Sequence, residues 1–235
     1  MSATSARTDA ATATMISLVS SLADNKSALG RRFGEWAVSA PTIESAVAAA
    51  AIAQDELGHA RSTYPVLQKL GVDREEDGLE SSRALGLLAY EWPDWASFIA
   101  ANLVVDGMLT TFVASARDSC IEPLAQRARK ILQEEGSHKA HAEAWTRRIC
   151  RLGGPDLELL LRRIDEMWDQ AARWPGPNDH VGYVEALAQG MVSCGPDKIR
   201  EQVREWVNEL LFAEGTAAAL RVPTEWSDWD EATRR

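Results

Sequence analysis

Residues 51–60 read AIAQDELGHA. The run leading into this stretch is small and apolar, yet Asp55, Glu56 and His59 stand within it. On a helix, Glu56 and His59 are three residues apart and share a face. A face built only for packing has no use for a carboxylate and an imidazole one turn apart, because each is costly to bury without a partner. Residues 131–140, ILQEEGSHKA, repeat the arrangement with Glu134, Glu135 and His138. Two matched Glu-x-x-His helices set the reading of the chain as a helical bundle with ionisable groups turned towards its axis.

The surrounding sequence agrees. Ala, Leu, Glu and Arg dominate, alternating β-branched runs are scarce, and the periodicity is helical nearly throughout. Helices are predicted over about 12–38, 41–70, 79–90, 93–116, 123–152, 157–173, 180–192 and 197–212. Pro65 should kink or break the second of these. Gly71 and the GGPD at 153–156 read as stops. Residues 1–11 and 222–235 read as irregular tails, with Trp226 and Trp229 as docking residues in the latter. No Pro/Gly-rich linker divides the 235 residues, so a single domain is expected.

The apolar stripes indicate which faces turn inward. Val19, Leu22, Leu29 and Phe33 form a row that includes Lys26. Ile52 and Thr63 flank Glu56 and His59, and Leu103 and Leu109 flank Asp106. Ile131 and Ala142 flank Glu135 and His138. Lys26 and Glu56 are separated by nearly the same length of chain as Asp106 and Glu135. In two antiparallel hairpins that spacing puts all four at one level.

Glu-x-x-His offers an oxygen and a nitrogen ligand on one helix face. Two such helices with acidic residues from two others form the pattern of the carboxylate-bridged dimetal bundle, which binds iron or manganese and admits O₂. Asp55 and Glu134 are placed to accept a proton from the outer nitrogen of a ligand histidine, or are plain solvated helix charges. Asp106 is a ligand candidate or, before Gly107, a turn residue. Only 4 histidines occur in the chain, and two fall in the matched motifs. His141 reads as a residue at the bundle edge and His180 as a cap or surface residue. Lys26 changes the charge balance: beside Glu56, Asp106 and Glu135, its ammonium leaves room for the charge of one divalent ion, and two would leave an excess unless hydroxide-type ligands joined them.

Other function classes are excluded by composition. A formal net charge of −10 opposes sequence-independent nucleic-acid binding. The longest apolar run, around residues 46–53, is too short to span a membrane. The N-terminus, MSATSARTDAATAT, lacks a signal-peptide apolar core. Cys120, Cys150 and Cys194 have no CxxC spacing and form neither a disulfide framework nor a zinc site. A reduced, cytoplasmic compartment is expected.

LGRRFGEW (29–36), PTIESAV (41–47) and AIAQDELGHA (51–60) resemble the phenylacetic acid catabolic family, the ferritin-like subunits of the bacterial phenylacetyl-CoA epoxidase, a multicomponent ring-1,2-monooxygenase. The resemblance continues through VVDG (104–107) and QEEGSHKAH (133–141), and more loosely through RIDEMWDQAARWPG (163–176), covering roughly residues 20–175. It implies an all-α, ferritin-like four-helix bundle core with additional C-terminal helices. It also implies a catalytic subunit with a diiron site, paired with a shorter, metal-free scaffold subunit. The family's iron ligands map onto Glu56, His59, Asp106, Glu135 and His138, and the sixth, a first-helix glutamate, maps onto Lys26. The scaffold subunit typically keeps GEW and the compact length but loses both Glu-x-x-His motifs; this chain keeps all of them.

The leading expectation is an O₂-activating monooxygenase subunit for an aromatic acyl-CoA. It would use one or two iron ions per chain, with manganese as the alternative metal, and a separate reductase, since no flavin, nicotinamide or iron–sulfur motif is present. The first alternative is a non-catalytic, metal-free scaffold whose site is filled by ion pairs around Lys26. The second is a ferritin-like oxidase of another substrate. A homodimer, or a heterodimer with a paralogous ferritin-like subunit, is expected, without nucleic acid or membrane.

Overall fold

The computed structural model describes residues 3–74 and 83–235. Among these residues the protein is all-α, a ferritin-like bundle without a strand. Helix α1 spans Ala3–Glu35 and α2 spans Ile43–Lys69. One continuous helix then runs from Trp95 to Ser115 as α3 (Trp95–Ala100), a π-helical turn (Ala101–Asp106) and α4 (Gly107–Ser115). It is followed by α5 (Glu122–Leu152), α6 (Gly154–Arg173), α7 (Val181–Ala188) and α8 (Pro196–Ala213). Helices α1, α2, α3–α4 and α5 make the four-helix core. Outside it, α6 packs on α3 and the π turn, α7 on α1, and α8 on α4 and α5.

Local chemistry sets the boundaries. Thr42 opens α2 by accepting the Ser45 amide at 3.2 Å, and Asp94 opens α3 by accepting that of Ser97 at 2.8 Å. Gly153 and Gly154, with φ of 65° and 59°, turn the chain between α5 and α6 in a conformation that side chains resist. The core is lined by the expected stripes: Val19, Leu22, Leu29, Phe33, Leu103, Leu109 and Ile131 are buried. Gly30 lets α1 and α2 approach closely just beyond Lys26, since a Cβ there would come within 2.8 Å of Leu57 Cγ and 3.0 Å of the Ala53 carbonyl oxygen.

Several expectations need correction. Helix α1 already begins at Ala3, so the N-terminal stretch to residue 11 is helical rather than irregular. Pro65 does not break α2, which continues to Lys69. Pro65 is exposed, where water can satisfy the carbonyl it leaves free. In place of a helix reaching Tyr90 there is a short 3-10 turn, Gly86–Leu88; the rest of that expected helix, from 79 to 82, lies outside the described residues. Among the described residues, the helix Trp95–Ser115 is long and apolar enough to cross a membrane, with a mean hydropathy of 1.6 over its window. Scattered Ser, Asn, Asp and Thr break its apolar runs without adding much charge, which is why it is not conspicuous as a run. Of that window, 83% is buried inside the bundle, as befits a core helix.

Candidate functional site

The site forms where the four core helices converge. Lys26 Nζ, from the C-terminal third of α1, donates to Asp106 Oδ1 at 2.5 Å, Glu135 Oε1 at 2.6 Å and Glu56 Oε1 at 2.9 Å. Lys26 and Glu56 are fully buried, and Asp106 and Glu135 are buried nearly as deeply. The four side chains are at one level, as the matched spacing of the hairpins requires.

The histidines close the cluster from two sides. His138 Nδ1 lies 3.3 Å from both Glu56 Oε1 and Glu135 Oε2, and 3.5 Å from Asp106 Oδ2. His59 Nδ1 lies 3.3 Å from Glu135 Oε1. Their outer nitrogens point away from the centre, each to a carboxylate of the opposite helix: His59 Nε2 is 2.8 Å from Glu134 Oε2, and His138 Nε2 is 3.3 Å from Asp55 Oδ2. A carboxylate acceptor requires the proton on that nitrogen. Asp55 and Glu134 thus brace the histidines while their own side chains stay partly exposed. The partners step in opposite directions along α2 and α5, so these helices are antiparallel.

Electrostatics follow from burial and count of partners. Burial alone would push the Lys26 ammonium down; Asp106, Glu135 and Glu56 together outweigh it and hold Lys26 well above its usual range. Burial, with Asp106 beside it, raises Glu56 to about 7, and its Oε2 has no hydrogen-bond partner. Glu135 is equally deprived of water, but Lys26, His138 and His59 all converge on it and keep it well below the carboxylate range. Burial opposes the charged form of both histidines, yet the surrounding carboxylates raise His59 and His138. A Lys130 hydrogen bond first, and His59 after it, lower Glu134.

Glu56, Asp106, Glu135 and His138 offer ligand atoms all within 4.8 Å of one another, and this cluster could hold a metal ion. Carboxylate oxygens and an imidazole suit a first-row dication. Lys26 competes for the same atoms: its ammonium already bonds an oxygen of each of the three carboxylates. Cations at ligand distance from those oxygens would meet the ammonium without an intervening counter-charge. A pair of metal ions does not fit around Lys26 as it stands.

Two features beside the cluster go beyond the sequence reading. The π turn carries Asn102 and Asp106, and Thr110 Oγ1, one turn further on, lies 3.4 Å from Asp106 Oδ1. A polar residue four positions before Asp106 in an otherwise apolar helix is the available signal. Asn102, Asp106 and Glu135 form the inner wall of a cavity of about 220 Å³ bounded outward by Lys139 and Trp206. The second feature is an aromatic box at His141, whose ring meets Trp95 and Phe98 at 5.9 and 5.8 Å between centroids. It places His141 at the bundle edge, away from the ligand set. His180 sits at the start of α7, 3.4 Å from Glu231. Trp229 donates to the Arg173 carbonyl at 3.1 Å, and the Arg173 and Arg200 guanidinium groups lie over Trp226. Both tryptophans thus dock the tail onto its own chain.

Residues 1–235 match the model of a family described as phenylacetic acid catabolic protein, a longer match than the resemblance over residues 20–175. Two relatives are components of the 1,2-phenylacetyl-CoA epoxidase of Escherichia coli (strain K12). The chain is 27% identical over 210 residues to the C component, covering 87% of this chain and 82% of that one. It is 28% identical over 153 residues to the A component, covering 62% of this chain and 48% of that one.

Proposed function

Because the chain belongs to the phenylacetic acid catabolic protein family, we propose that it serves in a multicomponent monooxygenase of the phenylacetyl-CoA epoxidase type, as the ferritin-like scaffold subunit. The observation that carries this reading is the Lys26 ammonium, bonded to all three carboxylates that would otherwise face metal ions. Lys26 supplies as a fixed side chain the positive charge that a metal would bring. His59 and His138, braced by Glu134 and Asp55, supply the remainder. The cluster then rigidifies the bundle and performs no redox step.

In this role the chain pairs with a paralogous ferritin-like subunit that holds the iron and the aromatic acyl-CoA, and a separate reductase feeds electrons to that partner in the cytoplasm. The match covers more of the C component than of the A component, which supports placing the chain on the C side of such a pair.

A catalytic reading has one observation in its favour: Glu56, Asp106, Glu135 and His138 keep a compact ligand geometry. Iron content decides between the two. Protein from iron-replete cells is expected to carry well under one iron per chain, and Lys26→Glu is expected to raise that content. Two tightly bound irons in the wild-type chain would overturn the scaffold role and make it a diiron oxygenase subunit.

A further inference from the structure

We propose that one end of the bundle is a docking surface for a second copy of this chain, related to the first by a two-fold axis. This end gathers the turn from α1 to α2, the last turns of α5 and the start of α6. Val38 lies in the turn, Ile43 opens α2, Val47 follows one helical turn later, and Leu152 ends α5. They are 91%, 80%, 66% and 67% exposed. Single exposed apolar side chains are ordinary, but several gathered at one place mark an interaction site. Two hollows open at this end and share Trp145 and Arg148. Trp145 is held in place before any partner arrives: its indole N–H donates to Ser45 Oγ at 3.0 Å, and its ring meets that of Trp95 edge-on at 5.5 Å. The Arg148 guanidinium lies over the same ring, 4.9 Å from its centroid. Trp and Arg are among the side chains that most often carry binding energy between proteins, and anchors already fixed in place lower the entropy cost of docking.

Charge selects the occupant. Arg148 is exposed and forms no ion pair among the described residues; Asp94, which lines one of its hollows, is taken by Arg163 at 2.7 Å. Glu44 lines the other hollow and Asp156 the first, both exposed and both without an ion pair among the described residues. The surface therefore carries both halves of the pairs it lacks. A two-fold axis sets Arg148 of each copy against a carboxylate of the other, so that the contact is made twice. An acidic partner would satisfy Arg148 but oppose Glu44 and Asp156, and a basic partner would do the reverse. The reciprocal pairs also offset, at the point of contact, the repulsion between two chains of net charge −10. The inference goes beyond the scaffold reading and does not depend on it, since none of these residues belongs to the Lys26 cluster.

Sedimentation equilibrium of the full-length chain, up to about 0.3 mM, should show a monomer–dimer equilibrium with a micromolar Kd. Ile43→Asp and Leu152→Asp should each weaken it about tenfold or more at an unchanged melting temperature, because both side chains stand in water in the monomer. Arg148→Glu, Glu44→Arg and Asp156→Arg test the charges. Arg148→Glu should weaken self-association by setting like charges against each other in both halves of the contact. Mixed with Glu44→Arg or with Asp156→Arg, it regains one native and one swapped pair. One of the two mixtures should therefore dimerise more tightly than either of its components alone, and which one does so identifies the carboxylate that Arg148 meets. A chain that stays monomeric at about 0.3 mM overturns the proposal and leaves the surface to a different protein. So does a dimer that neither Ile43→Asp nor Leu152→Asp weakens, which would join through another face. So does the failure of both mixtures to exceed their components, which would remove the self-complementary charges from the contact.

Discussion

Two of the places where the bundle buries a cation are treated differently. Lys26, in the core, is surrounded by three carboxylates. Arg234, where the C-terminal tail returns to the bundle, has none in its hydrogen-bonding shell. Its guanidinium donates to the carbonyl oxygens of Trp174 and Pro175, both at 2.8 Å, and to Ser17 Oγ at 3.2 Å. Arg200 nearby donates to the carbonyl oxygens of Gly176 at 2.8 Å and Ala172 at 3.2 Å, and to Asn178 Oδ1. Burial lowers both arginines to about 10, whereas Lys26 is held above its usual value in spite of burial. Carbonyl dipoles satisfy donors without balancing a full charge, and only the carboxylates do both. The tail is therefore fastened through neutral dipoles, and the core cluster through full charges that balance one another.

The largest test of this contrast is Lys26→Met. Removing one partner from a buried ionic cluster leaves uncompensated charge, and metal-free protein should lose about 3–5 kcal/mol in urea unfolding. A loss below about 1 kcal/mol would mean that the carboxylates simply take up protons, putting the cluster on the same footing as the tail.

Next is pH. Glu56 is raised from 4.5 to about 7, and His59 and His138 are raised from 6.5. Each binds its proton more tightly folded than unfolded. The stability this lends is complete below the unfolded values and is lost as pH climbs, for Glu56 between 4.5 and about 7 and for the histidines above 6.5. Glu135, held low, acts in the opposite sense but only as pH drops below 4.5. Stability should thus decline from about pH 5 to pH 8, on the order of 2 kcal/mol, in thermal melts of metal-free protein. A metal-filled site would slope the other way, because its ligands must shed protons to bind.

Arg234→Met should cost less, about 1–3 kcal/mol, since it leaves neutral carbonyls rather than carboxylates without a partner. It should also make the segment after Ala213 open to limited proteolysis, which Lys26→Met should not do in its folded fraction. The smallest effect belongs to a cation at the surface. Arg163 bonds the half-buried Asp94 at 2.7 Å, and Arg163→Met should change stability by about 0.5 kcal/mol and lose most of that effect at high salt. Should Arg163 matter as much as Arg234, burial would not be what separates these two arginines.

The core cluster could be read from the sequence because it depends on two regular things: the spacing of Glu-x-x-His on a helix and the antiparallel register of a hairpin. Those place Lys26, Glu56, Asp106, Glu135 and His138 together, with Asp55 and Glu134 behind. The tail could not be read in this way. Arg234 and Arg200 bind backbone carbonyls whose positions depend on the turn after α6, and no side-chain pattern marks a carbonyl. The π turn escapes for a similar reason: 93–116 shows ordinary helical periodicity, and one turn of extra width, packed against α6 and α8, leaves no mark on it. Trp226 and Trp229 are anchors, as the sequence suggests, but composition says nothing of whether the surface they meet belongs to another chain or to their own.

The crossed braces have a consequence for how the two halves can come apart. The bundle is a repeat of two hairpins, but each hairpin's histidine has its outer nitrogen held by a carboxylate of the other: His59 by Glu134, His138 by Asp55. Two hairpins joined in this way are interlocked: neither can pull away from the other without stranding a buried imidazole.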